Sequence, residues 1–125
     1  EKNGIYTIWI RSITNSYWSN IYISKNNLME KREYLIILYD FYSELLSDKQ
    51  KEHFEDYYFN NLSLGEISEN ENVSRNAIHK SIKSIENKLY FYEEKLKLYQ
   101  KSQELNTLLA NIKDEKLKKD IKNIL

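Results

Sequence analysis

The stretch "LSLGEISENENVSRNAIHKSIKSIENKL", Leu62 to Leu89, decides how the rest of the chain is read. Two amphipathic segments meet in it at a short joint, Glu71 to Val73, and a basic residue, Arg75, follows almost at once. Ser63 with Glu66 forms a capping box, in which the hydroxyl accepts from one orphan amide of the helix start and the carboxylate accepts from another. This box opens a short helix through about Asn70 that would bury Leu64 and Ile67. Ser74 is placed to cap the next helix. Helices joined this tightly need one left-handed residue between them, and Asn72 stands there; Asn tolerates positive φ better than any other residue except Gly. A short helix, a joint with one left-handed position and a second helix with a free outer face are the requirements of a helix-turn-helix.

The second helix divides cleanly. At about 100° per residue, Ile78, Ile82, Ile85, Leu89 and Tyr92 fall within an arc of about 80° and form a core stripe. Arg75, Asn76, His79, Lys80, Lys83 and Asn87 share an arc of about 140° on the other side. Arg and Asn match guanine and adenine edges through paired hydrogen bonds, whereas Lys and Ser suit phosphate oxygens. The pattern therefore predicts Arg75, Asn76, His79 and Lys80 near base edges, Lys83 and Ser74 on phosphate, and Asn87 at the far end of the same face. The ordinary alternative is a solvated polar face, and Glu86 at the edge of the basic arc weighs toward it.

Charge placement weighs the other way. The chain carries 19 basic and 19 acidic residues. Residues 29–72 hold 4 basic against 11 acidic, while residues 73–100 hold 6 basic against 3 acidic. Positive charge begins at the joint. Zero net charge argues against indiscriminate binding to polyanions.

Outward from this unit the period stays helical. Tyr34, Leu35, Leu38, Tyr42, Leu45 and Leu46 lie on one face of a first helix from Glu30 to about Leu46. Ser47 with Gln50 is a second capping box, opening a helix from about Asp48 to Phe59 that buries Phe54, Tyr57 and Tyr58. Downstream, nothing in the sequence breaks the helix after Ser74 before about Gln100. Leu89, Tyr92, Leu96 and Tyr99 then make a short coiled-coil-like seam. Leu105, Leu108, Leu109 and Ile112, then Leu117, Ile121, Ile124 and Leu125, form two further amphipathic stretches joined near Lys113 and Asp114.

Residues 1–28 differ in kind. β-Branched and aromatic residues dominate; Ile5, Thr7 and Trp9 fall on one strand face and Tyr6, Ile8 and Ile10 on the other, and a hairpin around Thr14 to Asn20 is conceivable. A hairpin with no third strand is marginal in water. Met29 is the one methionine of the chain. Residues 1–28 are therefore expected to lie upstream of the functional domain, as an extension or through a misplaced start codon, and residues 29–125 to form the domain.

Composition removes several classes of function. The 125 residues contain no cysteine, which excludes disulfides, thiolate metal sites and cysteine nucleophiles together. No apolar run approaches the roughly 18 residues of a membrane span, and no signal-peptide pattern opens the chain, so a cytoplasmic protein is expected. His53 and His79 lie on different helices, and no carboxylate at metal-ligand spacing stands out from the many acids nearby, so surface roles are the default for both. No nucleophile, base and acid can be assembled from Ser, His and Asp, and no cofactor is implied. The 11 tyrosines could stack on single-stranded RNA, but Tyr34, Tyr42, Tyr57, Tyr58, Tyr92 and Tyr99 sit on apolar stripes, where core packing is the expected use.

The block "LSDKQKEHFEDYYFNNLSLGEISENENVSRNAIHKSIKSIENKLYFYEEKL", Leu46 to Leu96, resembles the YlxM family of small bacterial proteins, which are similar to region four of sigma factors. The resemblance covers residues 29–125 and is densest from Leu62 to Leu89, where "SLGEI" and "VSR" and their spacing carry it. Ser68 stands where the family usually has Ala, Glu71 where it is usually apolar and Asn72 where Gly is usual; His79 and Asn76 also differ from the commoner choices. The resemblance implies an all-α helix-turn-helix bundle with long C-terminal helices, acting as a DNA-binding regulator. It also implies the signal recognition particle pathway, because family genes lie beside those of its targeting GTPases. An adaptor that holds the particle's RNA or its GTPase without reading DNA is the alternative. One recognition helix makes few contacts, so a homodimer through the C-terminal helices is expected.

Overall fold

The computed structural model describes residues 31–124; the expectations for residues 1–28, and for Leu125, lie outside them. Six α-helices make up the described part: α1 (Lys31–Tyr42), α2 (Asp48–Tyr58), α3 (Leu64–Glu71), α4 (Arg75–Leu96), α5 (Leu98–Leu109) and α6 (Glu115–Ile124), with a 3₁₀ turn (Ser43–Leu45) after α1. No strand occurs among the described residues, and none of these helices is long and apolar enough to cross a membrane.

α4 is the axis of the bundle. Against it pack α1, α2 and α3, while α1 also meets α5 and α2 meets α3. Its core stripe is the one the periodicity predicts: Ile78, Ile82, Ile85 and Leu89 are buried. Tyr34, Leu35, Leu38 and Tyr42 of α1, Phe54 and Tyr58 of α2 and Ile67 of α3 close the same core, and Tyr57, Leu64 and Tyr92 pack partly buried at its rim. Both capping boxes form, with Ser47 Oγ accepting from Gln50 N at 3.2 Å and Ser63 Oγ from Glu66 N at 3.1 Å.

Rings make up much of the interior. Tyr39 stacks on Phe54 at 4.2 Å between centroids and Phe54 on Tyr58 at 4.4 Å. The phenol oxygens find carboxylates: Tyr39 donates to Glu55, Tyr58 to Glu86 at 2.6 Å and Tyr42 to Glu93 at 2.5 Å. A buried hydroxyl without an acceptor costs about 1–3 kcal/mol, so a tyrosine-rich core needs these partners. Burial first, and the neighbouring carboxylate second, pushes all three phenols well above their ordinary pKa.

Three expectations change. Leu45 was expected inside, but it lies in the 3₁₀ turn, whose tighter winding rotates it out of the stripe to 51% exposure. Leu108 is likewise exposed, while its neighbour Leu109 is buried. The helix expected to run to about Gln100 stops at Leu96, because Lys97 adopts φ 56° and ψ 32° and the chain turns into α5. The cause is Glu93, which is 2% exposed. Its carboxylate accepts from Tyr99 N and Gln100 N, both at 3.1 Å, and so caps α5 from inside the core. Leu98 N donates to Tyr42 Oη at 3.0 Å, completing the junction. The seam Leu89, Tyr92, Leu96 and Tyr99 is thus split: Tyr99 is buried on α5 and Leu96 is exposed.

Candidate nucleic-acid interface

The turn between α3 and α4 has the geometry that a helix-turn-helix requires. Asn72 sits at φ 57° and ψ 42°, left-handed as its position predicts, and Val73 N donates back to Ser68 O at 3.1 Å. Ser74 then caps α4, its Oγ accepting from Ala77 N at 3.0 Å. Ser68, where Ala is usual in the family resembled, is buried and satisfied through Gly65 O at 2.7 Å.

Glu71, also at variance with the usual apolar residue, is held from α2. Lys49 Nζ lies 3.0 Å from Glu71 Oε1 and His53 Nε2 lies 2.6 Å from Glu71 Oε2. Burial alone would raise the Glu71 carboxyl, but these two partners outweigh it and hold the group below the usual carboxylate range. His53 is the clearest correction to the sequence reading: it is buried, not on the surface, and its Nδ1 is 2.6 Å from Ser81 Oγ of α4. One ring thereby joins α2, the end of α3 and the start of α4. Histidine at 53 had no signal in the sequence beyond its place between Glu52 and Phe54 on a helix already turned toward the core.

All seven predicted site residues, Ser74, Arg75, Asn76, His79, Lys80, Lys83 and Asn87, are exposed on the outward side of α4 or at its cap. A concavity lined by Asn76, His79, Lys80, Lys83, Ser84, Asn87, Lys88, Phe91 and Tyr92 follows this side of the helix. Glu86, which spoke against a cationic face, is buried and points inward. It accepts from Tyr58 Oη and lies 3.2 Å from Lys31 Nζ and 3.4 Å from Lys83 Nζ. Part of its charge is met by Lys83 of the outward face itself, while α4's first two turns, which carry Arg75 and Lys80, hold no acidic residue. Ser74 to Ala77, the cap and first residues of α4, are exposed, and with them the positive end of its dipole.

Sequence reasoning did not single out Phe91. It is 50% exposed on the polar side of α4, with the Lys95 ammonium 5.6 Å from its ring centroid. Its angular position, roughly opposite the core stripe at 100° per residue, was there to be counted.

Comparison with known proteins agrees with this geometry. A family described as "Putative helix-turn-helix protein, YlxM / p13 like" matches residues 29–125. Among curated relatives, the UPF0122 protein of Caldanaerobacter subterraneus subsp. tengcongensis is 50% identical over 81 residues, which is 65% of this chain and 69% of the relative. That of Fusobacterium nucleatum subsp. nucleatum is 46% identical over 88 residues, 70% of this chain and 85% of the relative. That of Malacoplasma penetrans is 49% identical over 81 residues, covering 65% and 76%. The family match spans most of the chain, including the Ser63 to Lys88 unit just described; the chain belongs to the UPF0122 family of YlxM / p13-like helix-turn-helix proteins.

Proposed function

We propose that the protein is a non-enzymatic DNA-binding regulator that reads a duplex with α4, with a place in the signal recognition particle pathway as its family resemblance implies. Arg75, Asn76, His79 and Lys80 meet base edges, and Ser74 and Lys83 meet phosphate. The observation that carries this reading is the left-handed turn at Asn72, which leads into a capped helix whose cationic side is exposed while Glu86, the first acid along α4, is buried. Titration of duplex DNA across a salt series tests it. Arg75→Ala with Lys80→Ala should weaken binding by about ten- to a hundredfold and flatten the salt slope by roughly one to two charges. An unchanged affinity and slope sinks the reading.

A second reading rests on a different feature. The 22 residues of α4 run about 33 Å, well beyond the roughly 12 Å width of a major groove. Asn87 and the exposed Phe91 lie in that surplus length. An aromatic ring on a polar face suits a protein or RNA partner, and an adaptor for the signal recognition particle's RNA or GTPase would use it. Phe91→Ala that leaves duplex affinity untouched yet abolishes association with the particle's components favours this role.

A further inference from the structure

α6 has an apolar stripe that the described residues cover only in part, Ile121 being half-buried and its two companions exposed. Leu117, Ile121 and Ile124 follow at i, i+4 and i+7, yet no residue of α6 is buried; Leu117 is 48% exposed and Ile124 85%. The helix pairs that carry the packing leave α6 out. A helix of 10 residues lies below the roughly 12–15 at which isolated helices hold in water, so α6 gains its stability from a cover.

The end of α1 has a complementary surface. Phe41 and Leu45 are exposed at i and i+4 where α1 passes into the 3₁₀ turn, with Asp40 and Glu44 beside them. The last turn of α1 holds no basic residue, so the negative end of its dipole is uncompensated. Glu44 has only a surface contact, with Lys51 at 3.1 Å, its own side chain being 90% exposed. Opposite in sign, α6 carries Lys118 and Lys122 one residue after Leu117 and Ile121.

We propose that α6 docks on a second copy of this chain, against that copy's Phe41 and Leu45, and that the exchange is reciprocal. The offsets give the orientation. Cations one residue after the apolar row on α6, and acids one residue before Phe41 and Leu45, lie on the same side of the contact when the two segments run parallel. Leu117 then lies over Phe41 and Ile121 over Leu45, with Lys118 and Lys122 along Asp40 and Glu44. Reciprocal exchange makes the contact two-fold and closed, which fits a dimer and not a filament. The inference stands independently of what the outward face of α4 binds.

The full chain in sedimentation velocity at tens of micromolar and low salt tests it. A dimer is expected, and Lys118→Glu with Lys122→Glu should raise its dissociation constant at least tenfold. Adding Asp40→Lys with Glu44→Lys to that variant should restore it, which no loss of folding can imitate. The chain has no cysteine, so the contact can also be trapped directly: Leu45→Cys and Ile121→Cys chains, mixed and oxidised, should join to each other faster than either joins to itself. A monomer at this concentration, a fourfold variant that stays weak, or preferential Ile121→Cys self-linkage would each overturn the proposal, the last by showing α6 against α6.

Discussion

Glu93→Ala is the substitution that tests most directly how this fold is held together. The carboxylate is reached by three donors, Tyr42 Oη at 2.5 Å and the Tyr99 and Gln100 amides at 3.1 Å. The first two lie in fully buried surroundings, and leaving a buried donor unmatched costs about 1–3 kcal/mol each. Gln100 N can turn to water, and removing the carboxylate also removes its desolvation cost, so a net loss of about 3 kcal/mol is expected. At an m value of roughly 1.5 kcal/mol/M, the urea midpoint should fall by about 2 M. Glu93→Gln keeps the volume and one carbonyl acceptor and should lose about half as much. Amide exchange at Leu98, Tyr99 and Gln100 should accelerate in Glu93→Ala beyond the change in global stability. A midpoint shift under about 0.5 M, or unaltered exchange at those three amides, would refute the view that a side chain of α4 fixes where α5 begins.

Other tests follow from the same structure. Asn72→Gly removes the left-handed penalty of an L-residue at φ 57° and should stabilise by up to about 1 kcal/mol in thermal or urea unfolding. Ser74→Ala should cost about 1 kcal/mol and fray the first turn of α4, read as faster exchange at Ala77 N. The two perturbed glutamates act in opposite senses with pH. Glu71 has a folded-state pKa below its unfolded value, so its contribution is present above the ordinary carboxylate range and is lost as pH falls through the depressed folded value; Glu71→Gln should flatten that acid limb. Burial raises Glu93, against its hydrogen bonds, so its contribution is fullest below the ordinary carboxylate range and is lost as pH rises through the raised folded value; Glu93→Gln should remove that dependence, seen in unfolding free energies measured from acid to neutral pH.

Local rules carried the centre of the fold. Ser47 with Gln50, Ser63 with Glu66, the left-handed Asn72 and the Ile78, Ile82, Ile85, Leu89 stripe are decided within a few residues, and each was legible. The outward placement of Arg75, Asn76, His79, Lys80, Lys83 and Asn87 follows from that stripe by angle alone. What could not be read depends on partners far along the chain. Lys97 is neither Gly nor Pro, and its helix break exists because Glu93, Tyr42 and the α5 amides meet across 51 residues of sequence separation. Glu86 turns inward for Tyr58, 28 residues away, and His53 is buried for Glu71 and Ser81. Tyr39, just off the counted stripe of α1, and Tyr90, well off that of α4, are buried as well, Tyr39 stacked on Phe54 and Tyr90 on Tyr34, contacts between helices that periodicity within one helix does not show.

α4 is gripped near both extremities, by His53 through Ser81 at one and by Tyr42 through Glu93 at the other. In the DNA-binding role proposed above, a helix clamped in this way would arrive pre-aligned and lose little conformational freedom on meeting a duplex. On that proposal any bending needed for a close fit would fall to the DNA, so flexible duplex sequences should be engaged in preference to stiff ones offering the same chemical groups.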